Sequence, residues 1–416
     1  MVCGCGIRSY HVGCHQILSA IYKAFLMKIL IFVSQFYQVS GAEKLALDLA
    51  QHLSARGVEV HVLSMYTKNL PGVSEATRLL EKSGITVSFL NLPIGAGFLS
   101  LFKGVVRLRK LLRVYGYDAV EASSIGPMII VSIATLRLTI TSIFGIHAVM
   151  ERRMHDTVKH RIWRALIKWR KSIKIYAISE AVSKAWCHYA RISEKRVRII
   201  YNAIPDEFFN EHMTSVSVRD ELSIPYQSRI VLFVGSIMKY KGIDILIDAV
   251  GPVLEAQDSY LVFVGEGNKA ESFYPAEAGF YDSFYQRIRD SSWSNRVKFL
   301  GNRNDVARLM AGSNVLAHPA RTEGFGLVLV EALAVGLPIV ATDVGGIPEV
   351  LNGTLSIVVP AEDVERFRQG VLTMLNAEPV MLENIQEIGK RRANDFRLGV
   401  RSNEFVGMVQ YTDGSV

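Results

Sequence analysis

The chain has 416 residues, half of them hydrophobic and 21% charged, with 47 Lys and Arg against 39 Asp and Glu for a formal net charge of +8. A single hydrophobic core tends to split beyond about 250 to 300 residues, so two domains are expected, and the even scatter of Gly and Pro excludes a long disordered or low-complexity region. The four cysteines, Cys3, Cys5, Cys14 and Cys187, leave most of the chain without a possible disulfide framework, which points to a reducing, cytoplasmic setting.

Residues 1–26 read as an extension outside the fold, because Met27 opens the β-rich run MKILIFVSQ. That run is short for a signal peptide and no small-residue cleavage site follows it. Cys3, Cys5, His11, Cys14 and His15 match no common zinc spacing. Short apolar runs at Lys28–Val33, 58–63, 86–90, Ala119–Ala122, 139–146, 173–178 and 197–200 have the composition of buried parallel strands, with helix-length stretches between them. Residues 125–146 are apolar for about the length of a membrane span. They divide instead into a buried helix over 127–138 and a β-branched strand over 139–146. This first domain is expected over 27–204.

A polar segment carrying Pro205 and Pro225 is the expected linker, over 205–225. A second series of strand runs follows at 230–234, 260–264, 297–300, Val315–His318, 338–341 and Ile357–Val359, giving a second doubly wound α/β domain over 226–387. The charged remainder, 388–416, has apolar residues at helical intervals and is expected to pack as a terminal helix and tail. In open sheets of this kind ligands bind beyond the carboxyl ends of the strands, so functional residues are sought just after each run.

The richest such stretch is His318-Pro-Ala-Arg-Thr-Glu-Gly-Phe-Gly followed by Leu327-Val-Leu-Val-Glu-Ala-Leu-Ala-Val335. A strand ends, a glycine loop turns and a helix begins, whose free N–H groups and positive end favour an anion such as a diphosphate. Glu331 is the one charge in that apolar helix and must be satisfied by local donors or by ligand hydroxyls. Glu323, in the turn before it, could reach the same ligand. Two acids around one sugar phosphate make sense if one holds a ribose and the other the transferred sugar. Lys239 and Lys241 lie in the loop after the first strand of this half, where a compact charge suits a leaving diphosphate. Gly265-Glu266-Gly267 and Gly301 add two more glycine turns at strand ends. In the first half Ser40-Gly41-Ala42-Glu43 joins strand to helix, and His147 directly follows the strand ending at Ile146.

Together these residues resemble glycosyltransferase family 4, whose members retain anomeric configuration and have the glycosyltransferase-B fold, two Rossmann-like domains facing a cleft. Glu323 and Glu331 match the family's paired glutamates, and Gly324-Phe325-Gly326, Thr342-Asp343-Val344-Gly345-Gly346 and Pro348-Glu349 also match. The resemblance implies that Glu331 bonds the ribose hydroxyls, that Glu323 contacts the donor sugar, and that the backbone of Phe325, Gly326 and Leu327 holds the diphosphate with Lys241. It places Gly267 and the Phe299–Gly301 turn near the base, and Gly41 and His147 opposite the reacting sugar. One departure is Ser236, where the family carries an arginine; Lys239 is the expected substitute, without an arginine's two-pronged hold.

The implied activity is transfer of a hexosyl group from a UDP- or GDP-linked sugar to a glycan or lipid-linked acceptor in cell-surface polysaccharide or glycolipid synthesis. No Asp-x-Asp motif occurs in the sequence, so no metal or other cofactor is expected. A sugar-nucleotide epimerase, a glycan phosphorylase and a sugar-nucleotide-binding protein without turnover remain as alternatives on the same fold. Between Glu151 and Lys174 nine Lys or Arg oppose two acids. Ile162, Leu166, Trp169 and Ile173 fall on one side of the predicted helix there, and Arg161, Arg164, Lys168 and Lys171 on another. With Trp163 and Trp169 at headgroup level, and a second basic cluster at Lys103, Arg107, Arg109, Lys110 and Arg113, an anionic membrane surface on the cytoplasmic face is the expected partner. Nucleic acid is not expected, since no binding module is recognised.

Overall fold

The computed structural model describes residues 27–34, 41–67, 73–93, 97–147, 157–210, 216–267 and 278–410. The extension over 1–26, Ser40 of the first glycine loop, residues 151–156 of the basic segment and residues 268–277 lie outside the described residues.

The chain forms two compact units. The first comprises residues up to Ile178, Ser183–Ile200 and residues from Leu398 onward, and the second Ser179–Val182 and Tyr201–Arg397. In the first unit β1 (Lys28–Val33), α1 (Gly41–Ala55), β2 (Glu59–Ser64), α2 (Val73–Lys82), β3 (Thr86–Phe89), α3 (Phe98–Tyr115) and β4 (Ala119–Ala122) alternate strictly. They are followed by α4 (Ile125–Ala134), β5 (Thr141–Ile146), α5 (Val158–Trp169), β6 (Lys174–Ala177), α6 (Glu180–Ala190) and β7 (Val197–Ile199). The seven strands are parallel, in the order β3-β2-β1-β4-β5-β6-β7.

The second unit continues with α7 (Val216–Leu222), β8 (Arg229–Val234), α8 (Ile243–Ala256), β9 (Ser259–Val264), α9 (Ala278–Arg289), β10 (Val297–Phe299), α10 (Val306–Ala311) and β11 (Val315–His318). It ends with α11 (Leu327–Val335), β12 (Ile339–Thr342), α12 (Ile347–Leu351), β13 (Ile357–Val359), α13 (Val364–Leu375) and α14 (Pro379–Ala393). Its six strands are also parallel, in the order β10-β9-β8-β11-β12-β13. Helices cover both faces of such a sheet, so its strands are continuously apolar; residues 230–233 of β8 are all buried. All thirteen strand runs read from the sequence are present, with ends within two residues.

Within the segment expected as a linker, Asp206–Phe209 form a 3-10 turn and α7 lies at Val216–Leu222, and both group with the second unit. Arg219 of α7 accounts for this, donating to the backbone oxygen of Ser228 (2.6 Å) and to Asn314 Oδ1 (3.1 Å). Where one terminal helix and a tail are expected over 388–416, the described residues form the end of α14 and a separate helix α15 (Leu398–Gln410), divided by a 3-10 turn at Asn394–Phe396. Only α15 rejoins the first unit, where Phe405 and Met408 pack into the core of Ile29, Ile31, Val60, Val62 and Ile143. The apolar segment at 125–146 contains the short buried helix α4 and strand β5. No helix among the described residues is long and apolar enough to cross a membrane.

Phe405 is fully buried and meets the Tyr176 ring edge-on at 6.3 Å. Truncation of a buried Phe costs about 3–5 kcal/mol, so Phe405→Ala should lower the unfolding free energy of the first unit by that amount in calorimetry or denaturant unfolding.

Candidate functional site

Each sheet reverses its strand order once, between β1 and β4 in the first unit and between β8 and β11 in the second. The loops leaving the carboxyl ends of such a pair diverge and leave a crevice for a ligand. In the second unit these loops are Gly235–Gly242 and the segment from Pro319 to Gly326, which carry most of the residues singled out in the sequence.

Glu323 is the point where the two loops meet. One carboxylate oxygen accepts from Lys241 Nζ at 2.6 Å and lies 3.2 Å from His318 Nε2, and the other accepts from the Gly324 N–H at 3.1 Å. Burial works against the charge on Glu323, but Lys241 and His318 outweigh it and hold the carboxyl well below its ordinary range. Burial also opposes the Lys241 ammonium, and the Glu323 carboxylate more than offsets it, so Lys241 stays charged. Burial lowers His318, and Lys241 adds to that effect, so the imidazole is neutral at physiological pH.

Arg321 and His318 were not assigned roles from sequence, yet they set this geometry. Arg321 grips Asp244 with two bonds (2.6 and 2.9 Å), Glu362 with two more (2.5 and 3.0 Å) and the Lys239 backbone oxygen (2.7 Å). It thereby ties the two loops together below the lysines. Asp244 and Glu362 lie 77 and 41 residues away along the chain, too far for any motif to pair them. The Gly345 backbone has φ of 54°, and a Cβ there would stand 1.7 Å from the Glu323 carbonyl oxygen. That loop can therefore lie directly on the Glu323 turn only because position 345 is glycine.

Gly326, in the left-handed conformation, starts α11, whose first N–H groups have no partner within the helix. Phe325 is buried against Tyr201 and Phe396, so its backbone, and not its ring, is available to a ligand. Leu327, Val328, Glu331 and Val335 are the half-buried residues of α11, the rest being buried. Glu331 therefore shares the accessible face with Leu327, one turn from the helix start. The carboxyl expected inside an all-buried helix is instead on the one face that is partly open.

The glycine turns also converge. Gly265 N–H donates to Gly301 O at 2.8 Å, and the half-exposed Phe299 ring stacks on Phe263 at 4.9 Å with Tyr285 beside it at 5.4 Å. The Tyr285 hydroxyl lies 3.2 Å from where a Cβ on Gly267 would stand. Gly267, Tyr285 and the Phe299–Gly301 turn thus form one aromatic margin, its two rings tilted by 58°. Phe284 lies in the core of this unit, and Phe280 and Tyr285 pack against that core. Ser236 is exposed. Lys239 is exposed too, with Nζ 5.6 Å from the Phe280 ring, while Lys241 makes the bond to Glu323.

In the first unit Gly41 opens α1 and His147 directly follows β5. His147 Nε2 lies 3.2 Å from the Tyr176 hydroxyl, which donates to Glu121 Oε1 at 3.2 Å; Ser123 donates to the same oxygen. Burial, followed by the positive charge of Arg401 on α15, drops His147 to about 3. Burial raises Glu121 to about 7, against the opposing bonds from Ser123 and Tyr176 and the charge of Arg401.

The basic helix α5 turns a different face inward than its spacing suggests. Trp163 and Ile167 are its buried residues, with Trp163 edge-on to Trp186 at 4.9 Å and its indole N–H donating to Met128 Sδ. The large ring area gained there turns Trp163 inward, where it cannot reach headgroups, and of the expected stripe Ile173 is buried, Ile162 and Leu166 are half-buried and Trp169 is exposed. Arg164 lies over the Tyr189 ring. Trp169 is 66% exposed, beside exposed Arg161, Lys168 and Lys171. Helix α3 carries a second open surface: Leu99, Phe102 and Val106 are 79%, 68% and 53% exposed among exposed Lys103, Arg107, Lys110 and Arg113.

Two Rossmann-like units of this topology define the glycosyltransferase-B class. A glycosyltransferase from Rickettsia africae ESF-5 superposes with a TM-score of 0.79 over 92% of this chain and 98% of its own at 18% identity. The Anabaena protein HepE in complex with UDP superposes at 0.75 over 92% and 99% at 23% identity. Residues 39–208 match the family model described as Glycosyltransferase Family 4, and residues 228–377 the model described as Glycosyl transferases group 1. The chain belongs to this glycosyltransferase family. It is 27% identical to N-acetyl-alpha-D-glucosaminyl L-malate synthase of Bacillus anthracis over 52% of this chain and 53% of that protein. It is 28% identical to the gpi3 subunit of phosphatidylinositol N-acetylglucosaminyltransferase of Schizosaccharomyces pombe over 80% and 70%. The chain spans about half or less of the length of the first curated relatives it matches.

A carboxyl whose value in the fold lies above its unfolded value near 4.5 keeps its proton in the native state. The stability Glu121 contributes is thus fully present below about pH 4.5 and lost as pH rises to about 7. Wild type should lose up to about 3 kcal/mol relative to Glu121→Gln across that window, as read by denaturant unfolding at each pH; parallel profiles would contradict the assignment.

Proposed function

We propose that this protein is a retaining glycosyltransferase that moves a hexosyl group from a UDP- or GDP-linked sugar to a glycan or lipid-linked acceptor in cell-surface polysaccharide or glycolipid synthesis. The observation that carries the reading is the Lys241–Glu323–His318 cluster just before the start of α11, with Glu331 on the open face of that helix. In this reading the α11 N-terminus and Lys241 meet the diphosphate. Glu323 lies against the sugar, Glu331 takes the ribose hydroxyls, and the Gly267 and Phe299 margin takes the base. The acceptor oxygen bonds to the anomeric carbon as the bond to the diphosphate oxygen breaks, on the same face, and the hydroxyl proton passes to the departing phosphate. No covalent enzyme intermediate is invoked. That HepE is described in complex with UDP and with UDP-glucose supports a nucleotide-sugar donor.

Calorimetry and transfer assays across a set of nucleotide sugars test the reading. Glu331→Ala and Lys241→Ala should each lower donor affinity or transfer at least about tenfold, the loss of one charge-assisted bond, with the far-ultraviolet circular dichroism unchanged. Transfer should persist in excess chelator, because the protein supplies the positive charge. Wild-type transfer by the Glu331→Ala variant, or loss on chelation restored by magnesium or manganese, would overturn these roles. Donor binding without turnover or hydrolysis would favour a binding protein.

The acceptor side of the proposal places the first unit on the cytoplasmic face of an anionic membrane through α3. Leu99, Phe102 and Val106 are spaced three and four residues apart and form one apolar strip between basic residues, the arrangement of an interfacial helix. Vesicles of phosphatidylglycerol should co-sediment the protein at low salt, less at high salt, and less for Phe102→Asp or Lys110→Glu. No binding at low salt would rule the surface out.

A further inference from the structure

The first unit contains a buried chain of polar groups of which the family resemblance includes His147 but neither Glu121 nor Tyr176. Glu121 is the third residue of β4 and is 2% exposed. Its Oε1 accepts from both Ser123 and the Tyr176 hydroxyl, and that hydroxyl lies 3.2 Å from His147 Nε2. A phenol has one proton. If it goes to Glu121, the phenol oxygen can only accept from His147, so the histidine must carry its proton on Nε2. The other ring nitrogen, Nδ1, is then a bare acceptor, and it is buried without a hydrogen-bond partner among the described residues.

The space for this chain is set by the backbone. A Cβ at Gly145 would stand 2.4 Å from the Tyr176 hydroxyl oxygen and 2.8 Å from His147 Nε2, so the contact between phenol and imidazole requires glycine there. Arg401, buried on α15, supplies the positive charge that acts on Glu121, Tyr176 and His147 alike. The arrangement therefore draws on β4, β5, β6 and the last helix of the chain.

We infer that Glu121 is a positioning residue for the transfer proposed above: through Tyr176 it fixes His147 in the Nε2–H tautomer and leaves Nδ1 as the acceptor for a hydroxyl of a sugar bound to the first unit. The inference rests on the proposed transfer for the identity of the ligand, but not for the tautomer. An unpaired buried acceptor is costly to leave empty, and a sugar hydroxyl is a donor of the right kind to fill it.

Long-range proton–nitrogen correlation on the ligand-free protein, labelled at histidine nitrogens and assigned with His147→Gln, reads the tautomer directly without any substrate. Wild type should show His147 as the Nε2–H form. Tyr176→Phe should lower the ratio of Nε2–H to Nδ1–H about fivefold, the weight of one hydrogen bond. Glu121→Gln, whose amide oxygen can still accept from the phenol, should keep the wild-type ratio. A dominant Nδ1–H form in the wild type, or an unchanged ratio in Tyr176→Phe, would overturn the inference. Because no sugar or nucleotide is present, either result is separable from a failure of the proposed transfer activity.

Discussion

The carboxylate of Glu323 has to be satisfied in a largely buried place, and the second unit is built around doing so. Lys241 reaches it from the loop after β8 and His318 from the end of β11, so the two strands flanking the sheet's reversal are joined through one charge. A buried ion pair is a poor source of net stability, because both partners lose hydration. Its value here is positional. Lys241 stays charged because Glu323 is beside it, and Glu323 stays ionised because Lys241 and His318 are beside it, so a cation and an anion are held ready at the foot of α11.

That arrangement needs support from groups that bear no ligand role. Arg321 binds Asp244, Glu362 and the Lys239 carbonyl at once, fixing the lysine loop against the glutamate loop with a planar fork that a lysine could not reproduce. Gly345 permits its own loop to lie on the Glu323 carbonyl. Ser179, which groups with the second unit, donates to the Gly324 carbonyl, and Glu349 accepts from the N–H groups of Glu180 and Ala181 in that same group of residues. The Pro348-Glu349 match noted in the sequence therefore has a structural use, as a carboxylate that satisfies two backbone N–H groups of the second unit.

The first unit solves a related problem with less charge. Glu121 is buried more completely than Glu323 and has no direct ion pair among the described residues, so burial raises its value where Lys241 lowers that of Glu323. The return of α15 matters for this reason as well as for packing: Phe405 and Met408 complete the core, and Arg401 brings a positive charge toward Glu121. The segment of the chain farthest in sequence from β4 thus tunes its electrostatics.

The sequence by itself determined what depends on neighbours along the chain. The thirteen strands were legible because a parallel sheet covered on both faces demands short, wholly apolar runs. The strand–loop–helix at His318–Val335 was legible because glycine, an acid and an apolar helix occur in one continuous stretch. Tertiary structure decided what depends on partners distant in sequence. Residues 205–225 read as a linker because they are polar and proline-bearing, but Arg219 finds Ser228 and Asn314 only in the fold. Helix α5 turned on its axis because Trp163 meets Trp186 and Met128, a larger apolar contact than its own periodicity could reveal. Arg321 and the Glu121–Tyr176–His147 chain were invisible for the same reason: hydrogen bonding selects partners by distance and direction in space, and local sequence carries neither.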